Sequence, residues 1–244
     1  MSRKPRVQFP GALYHVMSRG NRKNKIFLGD DDRHDFIDKF ADVVSKFGWV
    51  CSAYCLMGNH YHLLIETPQP NISEGMHKLL NDYCKRFNWK HDQVGHVMQG
   101  RFDSPLVEKE AHLMGIVRYI ALNPVEAGLV SKPEQWRWNS YRAIAGLAPA
   151  PGFLDIGYTL GLFGDNEGMA RQAYIRFVAD GLLLVHSTVR TIRLTLHEIF
   201  QGAWNKKQRN IAMRIAHFEH EYSMTEIAAY LGISLSAVSR AINK

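Results

Sequence analysis

The sequence is poor in cysteine and has no long apolar run. Its 244 residues include three cysteines, Cys51, Cys55 and Cys84, and so odd and sparse a set argues against a disulfide-stabilised secreted domain. No apolar stretch approaches the roughly 20 residues that cross a bilayer. The N-terminal Met-Ser-Arg-Lys-Pro-Arg is not followed by the apolar segment of a secretory signal. We therefore expect a protein of the reducing cytoplasm with no membrane partner.

Acidic residues are absent from the first 25 positions, where every charged side chain is basic. These basic residues are Arg3, Lys4, Arg6, Arg19, Arg22, Lys23 and Lys25. The whole chain has a formal net charge of +7 and a pI of about 9.3, which favours a polyanionic partner. Two interpretations of the basic stretch are open at this point: a solvated arm, or a segment that contacts phosphate groups.

Apolar periodicity predicts an α+β fold in the first part of the chain. The predicted strands are Ala12–Ser18, Trp49–Met57, His60–Thr67 and an edge stretch around Phe102–Val107, and the predicted helices are Asp30–Phe47, Ser73–Lys90 and Glu110–Asn123. We expect the last helix to stop at Pro124, because proline disfavours helix in the residue before it. The order β-α-β-β-α-β-α is a split βαβ pattern. It indicates a ferredoxin-like antiparallel sheet with helices packed on one face.

The rest of the chain divides at a stretch rich in alanine, proline and glycine. We expect residues 1–148 to form the first domain, 149–186 a helical linker region, and 187–244 an all-α domain, since 46% hydrophobic residues suffice for one substantial core and a smaller unit. Near the C-terminus, Gly232 ends one short helix and Ser234 can cap the next. This pattern is typical of a helix-turn-helix, and an αα-hairpin without a DNA role is the alternative.

The predicted recognition helix presents polar side chains that suit base edges. Its outward residues would be Ser236, Ser239, Arg240 and Asn243, and arginine and asparagine match guanine and adenine respectively. Residues 223–244 are similar to the DNA-binding C-terminal domain of bacterial replication initiators. The resemblance implies that duplex DNA is a further partner of this region.

Two histidines and a tyrosine mark the candidate catalytic chemistry. On a strand, His60 and His62 point to the same face, and two imidazoles aimed at one point form half of a metal site. Tyr119 and Asn123 are four apart in the predicted helix and share one face of it. The alternative is that the histidines are ordinary strand residues and that Tyr119 is a packed aromatic.

A zinc site and a second tyrosine are weaker alternatives. Cys51 and Cys55 would share a strand face but lie roughly 13 Å apart, too far for two ligands of one tetrahedral ion. Tyr83, on the preceding helix, lacks a polar partner one turn on, and its apolar neighbours indicate packing. Tyr119 is therefore favoured over Tyr83 as a nucleophile.

Five segments in order carry a resemblance to a known family. They are Tyr-His-Val-Met-Ser-Arg-Gly-Asn (14–21), Ala-Tyr-Cys-Leu-Met-Gly-Asn-His-Tyr-His-Leu-Leu-Ile (53–65), Gly-His-Val-Met-Gln-Gly-Arg-Phe (95–102), Arg-Tyr-Ile-Ala-Leu-Asn-Pro (118–124) and Trp-Asn-Ser-Tyr (138–141). The region from about residue 5 to residue 148 thus resembles the REP-associated tyrosine transposases, which belong to the HUH single-strand DNA transposases. Such proteins act on REP-like palindromes folded as hairpins.

The resemblance assigns a role to each candidate residue. It implies that His60, His62 and Asn123 bind Mg²⁺ or Mn²⁺ and that Tyr119 is the nucleophile, which forms a 5′-phosphotyrosine with single-stranded hairpin DNA. We assign DNA contacts in this part of the chain to Arg19, Arg22, Lys23 and Arg101. We expect a monomer or homodimer in the bacterial cytoplasm, associated with the nucleoid. No base that would activate Tyr119 is evident.

Two other functions compete with this interpretation. A DNA-binding regulator that has lost its catalytic activity is the main alternative, and the intact His60, His62, Tyr119 and Asn123 argue against it. An RNA-binding sheet would need exposed basic and aromatic residues in an RRM-like signature, which the sequence lacks. Because nearly a hundred residues follow the catalytic region, the target of this chain need not be the one preferred by its shorter relatives.

Overall fold

The computed structural model describes residues 6–107, 110–190, 195–201, 205–218 and 222–242. The chain forms two compact units, Met1–Leu183 and Leu184–Lys244. Among the described residues, no helix is both long and apolar enough to cross a membrane.

The first unit is built on a three-stranded antiparallel sheet. Its strands are β1 (Ala12–Arg19), β2 (Val50–Leu56) and β3 (His60–Thr67), in the order β1-β3-β2. The predicted hairpin is present, with the Met57 amide donating to the His60 carbonyl over 2.9 Å. The α+β fold class predicted from the sequence is confirmed.

Helices follow the strands in the predicted order and continue to Ile242. They are α1 (Asp30–Phe47), α2 (Ile72–Lys90), α3 (Glu110–Glu126), α4 (Tyr141–Ile144), α5 (Ile156–Gly161), α6 (Glu167–Arg190), α7 (Leu196–Phe200), α8 (Lys206–Phe218), α9 (Met224–Leu231) and α10 (Leu235–Ile242). The bounds of α1 are those predicted. Three aspartates occupy its first turn, where carboxylates favour the helix dipole.

Both faces of the sheet are covered, whereas the sequence predicted helices on one face. Tyr61 and its neighbours at alternate positions of β3 face α1 and α2, and the Tyr61 ring lies 4.9 Å from that of Phe36. His60 and His62 point to the opposite face, where Tyr119 of α3 meets the His62 ring. The physical reason is that β2 and β3 are buried on both sides, and a strand apolar on both faces needs two covering layers.

The predicted fourth strand is present only as isolated pairings with β1. Residues 102–107 form single bridges, Tyr14 with Leu106 and Met17 with Asp103. The Pro105 carbonyl accepts from His15 over 3.1 Å, but proline has no N–H to donate to a continuous ladder. The segment therefore lines the outer edge of β1 without becoming a regular strand.

A β-bulge in β2 corrects the expected arrangement of the cysteines. The pairing with β3 shifts between Cys51 and Ala53, so an extra residue is accommodated on β2 and the side-chain alternation is reset. Cys51 consequently packs in the core beneath α1, while Cys55 lies opposite His62. The two thiols do not share a strand face, which is a further argument against zinc.

Helix α3 continues past Pro124 to Glu126, although we expected it to stop there. Proline cannot donate to the carbonyl four residues earlier, which belongs to Ile120. Asn139 supplies the missing donor: its Nδ2 donates to the Ile120 carbonyl over 2.9 Å and to the Ala121 carbonyl over 3.1 Å. The helix tolerates Pro124 because a buried amide from another segment replaces the lost backbone bond.

Residues 138–140 and Asp155 of the first unit cover the outer edge of β2. The Leu56 amide donates to the Trp138 carbonyl and the Ser140 amide to the Tyr54 carbonyl, both over 2.9 Å. Farther along the same edge, the Asp155 amide donates to the Cys51 carbonyl over 2.8 Å. Much of the predicted linker, 149–186, is thus in contact with the sheet or its helices.

The second unit is a small helical bundle. Its core contains Met213 and Ala216 of α8, Ile227 of α9, and Val238 and Ile242 of α10. The Ser223 hydroxyl accepts from the Glu226 amide at the start of α9. Gly232 ends α9 in the left-handed conformation, with φ of 64°, as the sequence predicted.

Candidate active site

The hairpin and α3 bring the four predicted site residues together. Strand β3 begins directly after the β2–β3 turn, and its first residues include His60 and His62. Both histidines lie on the face of the sheet that α3 covers. The His60 Nε2 atom lies 3.2 Å from the Asn123 Oδ1 atom. The ring centroid of His62 lies 5.0 Å from that of His60 and 5.2 Å from that of Tyr119. The predicted site is therefore one compact group of side chains.

Two residues that the sequence analysis did not single out contact these histidines. The Asn59 Oδ1 atom lies 2.7 Å from His60 Nδ1, and the His15 Nε2 atom lies 3.0 Å from His62 Nδ1. His15 lies on the same sheet face as Met17, and Met17 pairs with His62 across the two strands. The approach of His15 to His62 therefore depends on the strand register. Alternation along β1 could have suggested its face, but not its partner.

Burial keeps the histidines of the site neutral. Desolvation lowers the pKa of His62 to about 3, with a further contribution from the adjacent His15 and His60. It also lowers the pKa of His15 to about 4, helped by the charge of His112. Burial lowers the pKa of His60 too, against the opposing effect of the Asn123 amide oxygen, which can accept from a protonated ring. Neutral imidazoles have the free lone pair that a metal ligand needs.

The donor atoms of this group fit a hard divalent cation. His62 Nε2 is buried and has no hydrogen-bond partner among the described residues. The 3.2 Å between His60 Nε2 and Asn123 Oδ1 is close to the roughly 3.0 Å that separates neighbouring ligands of an octahedral ion with bonds of about 2.1 Å. Within the described ranges, no cluster of three or more His, Cys, Asp or Glu could hold a metal. Among the described residues, two imidazoles and one amide oxygen are the donors that lie together here.

Tyr119 is accessible to a substrate, whereas Tyr83 is not. The Tyr119 side chain is 39% exposed. Its pKa is raised by burial and by Glu126, and a side-chain hydrogen bond with Asn123 acts in the opposite direction. Tyr83 is buried in the core, and its hydroxyl donates to the Ile26 carbonyl. The geometry therefore favours Tyr119 over Tyr83 as the nucleophile.

A cleft of about 490 Å³ opens beside this group. Its lining residues are Met17, Ser18, Arg19, His60, His62, Gln99, Arg101, Asp103 and Tyr119. The volume is within the roughly 300–1,000 Å³ typical of ligand sites. Arg19 and Arg101, two of the predicted DNA-contacting residues, are exposed at its rim. The cleft joins positive charge to the histidines and the tyrosine.

The other two predicted DNA contacts of this unit, Arg22 and Lys23, lie in the loop after β1. Both have left-handed backbone conformations, with φ of 54° and 62°, which is uncommon for residues other than glycine. The Asn59 Nδ2 atom donates to the Lys23 carbonyl over 3.2 Å. This loop is thereby attached to the turn that carries His60.

The predicted recognition residues are in the second unit. Ser236 and Arg240 are exposed on α10, and the Arg240 Nε atom donates to the Ser236 carbonyl over 3.2 Å. Ser239 is half-buried on the same helix. Asn243 lies outside the described residues.

Comparisons with known proteins find a similar family and similar solved structures. Residues 8–123 match the model of the family described as IS200-like transposases. A solved structure of a REP-associated tyrosine transposase bound to a REP hairpin is 20% identical, with a TM-score of 0.51, and the match covers 64% of this chain and 94% of that one. A candidate transposase from Deinococcus radiodurans R1 is also 20% identical, with a TM-score of 0.35 and coverage of 49% and 95%. No curated protein sequence matches the chain.

Proposed function

Because residues 8–123 match the model of the IS200-like transposase family, we propose that this chain nicks and rejoins single-stranded DNA hairpins with Tyr119 as the nucleophile. The observation that carries the proposal is the meeting of Tyr119, His60 and His62 in one cleft with Arg19 and Arg101. The Asn123 Oδ1 atom lies 3.2 Å from His60 Nε2. A phenol, a set of metal donors and positive charge are the components that transfer of a phosphodiester to tyrosine requires.

A divalent cation, Mg²⁺ or Mn²⁺, would be held by the Nε2 atoms of His60 and His62 and by Asn123 Oδ1. When bound, it would polarise an oxygen of the scissile phosphate and offset the negative charge that develops on the phosphoryl oxygens. The neutral state of both histidines and the buried, unpaired Nε2 of His62 support this assignment. Arg19 and Arg101 would position the strand through its other phosphates.

Tyr119 would attack phosphorus in line. A bond forms between the phenolic oxygen and phosphorus while the bond to the 3′ oxygen of the preceding nucleotide breaks. The phenolic proton is lost to solvent, and the 3′ oxygen of the upstream strand takes up a proton. The downstream strand remains attached to Tyr119 through its 5′ phosphate, as a phosphotyrosine. Because one phosphodiester replaces another, a second 3′-OH can reverse the reaction onto a new strand without ATP.

The substrate assignment is a hairpin of the REP-like palindrome type. The structurally similar REP-associated transposase is bound to a REP hairpin, and the exposed Arg22 and Lys23 add positive charge close to the turn that carries His60. Such charges would contact the sugar–phosphate backbone whatever its sequence.

The second unit would bind duplex DNA through α10. A capped α9, the left-handed Gly232 and an exposed Arg240 support a helix-turn-helix whose second helix enters the major groove. Arg240, Ser236, Ser239 and Asn243 are the proposed contacts. This unit would influence the choice of target, since every proposed catalytic residue belongs to the first unit.

The test is to trap the covalent intermediate. The full chain is mixed with a labelled single-stranded hairpin and Mn²⁺, and the product is resolved under denaturing conditions. We expect a protein–DNA adduct whose tryptic map assigns the nucleotide to Tyr119. Hairpin binding without any adduct, across a panel of hairpin sequences, would instead support a DNA-binding regulator without catalytic activity.

A further inference from the structure

Each histidine of the proposed metal site has its Nδ1 atom engaged by a particular neighbour. For His60 the neighbour is Asn59, whose orientation is determined by a second contact: Nδ2 donates to the Lys23 carbonyl over 3.2 Å, which turns Oδ1 toward His60. An amide oxygen only accepts hydrogen bonds. The 2.7 Å contact with Asn59 Oδ1 therefore requires the proton on His60 Nδ1.

This arrangement leaves a lone pair on the other nitrogen of His60. The Nε2 atom faces Asn123 Oδ1 at 3.2 Å, so two acceptors point at each other. In a neutral imidazole only one nitrogen carries a proton, and Asn59 has already determined which one. A cation bound by both acceptors would make this juxtaposition favourable.

His62 has the same division of roles. Its Nδ1 lies 3.0 Å from His15 Nε2, and its Nε2 is buried without a hydrogen-bond partner in the described part of the chain. Two neutral imidazole nitrogens in contact share one proton. If that proton is on His62 Nδ1, the unpaired Nε2 is a lone pair; if it is on His15, the Nε2–H of His62 is a buried donor without an acceptor, which costs free energy.

We propose that Asn59 and His15 are positioning residues that hold His60 and His62 as Nδ1–H tautomers, with both Nε2 lone pairs free to act as ligands before any cation binds. This inference rests on the metal site of the proposed function. Residues of this kind orient imidazole ligands and raise their basicity. Neither side chain touches the reacting atoms.

Asn59 also connects the basic loop to the metal site. The loop reaches the turn through the Gly20 amide, which donates to the Asn59 carbonyl over 2.8 Å, and through Ile26 and Phe27, whose amides donate to the Gly58 carbonyl. Gly20 allows this close path, because a Cβ there would lie 2.0 Å from the Asn24 carbonyl oxygen. The loop with Arg22 and Lys23 is therefore part of the scaffold that orients His60.

The test observes the tautomers directly in the full chain without metal. Histidine is labelled with ¹⁵N, and long-range ¹H–¹⁵N spectra at pH 7.5 report which ring nitrogen of each histidine carries the proton. We expect Nδ1–H for both His60 and His62. An Nε2–H tautomer at either residue in the wild-type protein would overturn the proposal for that residue, without reference to any variant.

Matched variants then separate positioning from a purely structural role. Asn59→Leu and His15→Phe remove the acceptors, whereas Asn59→Asp and His15→Gln retain one. We expect the first pair to lose the Nδ1–H preference of the facing histidine and to weaken Mn²⁺ binding, measured by EPR titration, by roughly 10–100-fold. The second pair should recover both properties, and the exposed His77→Gln should change neither.

The outcomes distinguish this inference from the proposed function. Circular dichroism would show whether Asn59→Leu and His15→Phe remain folded. If they are folded and still keep both tautomers and wild-type Mn²⁺ affinity, the positioning role is refuted. A wild-type protein with both Nδ1–H tautomers and bound Mn²⁺, but no covalent adduct, would refute the nicking activity and leave the positioning role standing.

Discussion

The side-chain amide of Asn139 donates to the backbone carbonyl of Ile120 over 2.9 Å, at the one turn of α3 where Pro124 cannot. The same amide group accepts from the Tyr141 backbone through its oxygen, over 2.9 Å, and it is 2% exposed. The turn that it supports lies between Tyr119 and Asn123. A residue from a distant segment thus stabilises the part of the helix that bears the proposed chemistry.

Replacing Asn139 with leucine should destabilise the first unit by about 2–4 kcal/mol, since two buried carbonyls and one amide lose their partner. Urea unfolding would measure the loss. Pro124→Ala provides the control, because its restored N–H can reach the Ile120 carbonyl. In the Pro124→Ala protein, Asn139→Leu should lower the free energy of unfolding by less than it does in the wild-type protein. An equal loss in both proteins would mean that Asn139 does not compensate for the proline.

Tyr119→Phe should abolish adduct formation while hairpin affinity stays within a few-fold of wild type. The hydroxyl is the proposed nucleophile, whereas the phosphate contacts come from other side chains. Tyr83→Phe is the matched control: it removes the hydroxyl that bonds to the Ile26 carbonyl, so it should lower stability and leave the adduct. An adduct retained by Tyr119→Phe and lost by Tyr83→Phe would exchange the two assignments.

His60→Ala and His62→Ala should each prevent cleavage and reduce Mn²⁺ binding, and EDTA should have the same effect on the wild-type protein. Each substitution leaves two protein donors on an ion that is held weakly. Mn²⁺ binding would be measured by isothermal titration calorimetry. The exposed His77→Ala should bind Mn²⁺ like the wild-type protein in that measurement. Undiminished cleavage in EDTA would exclude a metal-dependent step.

Asp32 should give the stability of the first unit a specific pH dependence. Burial raises the pKa of Asp32, but hydrogen bonds from Lys90, His91 and the Leu28 amide outweigh this, so the net pKa is lowered. A lowered folded-state pKa stabilises above the unfolded value of about 3.9, and this contribution is lost as the pH falls through the folded-state pKa. Asp32→Asn should therefore cost most near pH 6 and least near pH 3 in urea titrations, whereas a pH-independent cost would contradict the ionised assignment.

Arg240→Ala should weaken binding of the full chain to its preferred duplex by about 1–3 kcal/mol if this side chain reads a guanine. The loss should be smaller for unrelated duplexes. If Arg240 contacts a phosphate instead, all duplexes should weaken alike and the salt dependence should become shallower. Arg176→Ala, an exposed arginine of the first unit, is the control. Removal of residues 184–244 should spare hairpin nicking, and an unchanged duplex affinity after this removal would refute the role of α10.

Much of the fold follows from local patterns in the sequence. The periodicity from Phe36 to Phe47 predicted α1 with both of its ends, and Gly58–Asn59 predicted the hairpin, because helical and strand repeats and turn residues act over short distances. The meeting of His60 with Asn123 was anticipated only through the family resemblance. Spacing within each element showed which side chains share a face, but not which elements pack together.

The features that the sequence did not reveal depend on long-range partners. The extension of α3 through Pro124 requires Asn139, and the inversion of Cys51 relative to Cys55 requires a bulge whose position the strand pattern does not mark. The placement of α3 on the second face of the sheet depends on how much of β3 remains to be covered after α1 and α2 have packed. The contacts of His15 and Asn59 arise from the resulting register.

Neither lateral edge of the three-stranded sheet is open to another strand within the described chain. Residues 138–140 and Asp155 bond to the outer side of β2, and the segment with Pro105 lies along the outer side of β1. Covered edges of this kind are how β proteins avoid edge-to-edge aggregation. Two copies of this unit therefore cannot merge their sheets without first displacing a covering segment, so any self-association of the first unit must use its helices and loops.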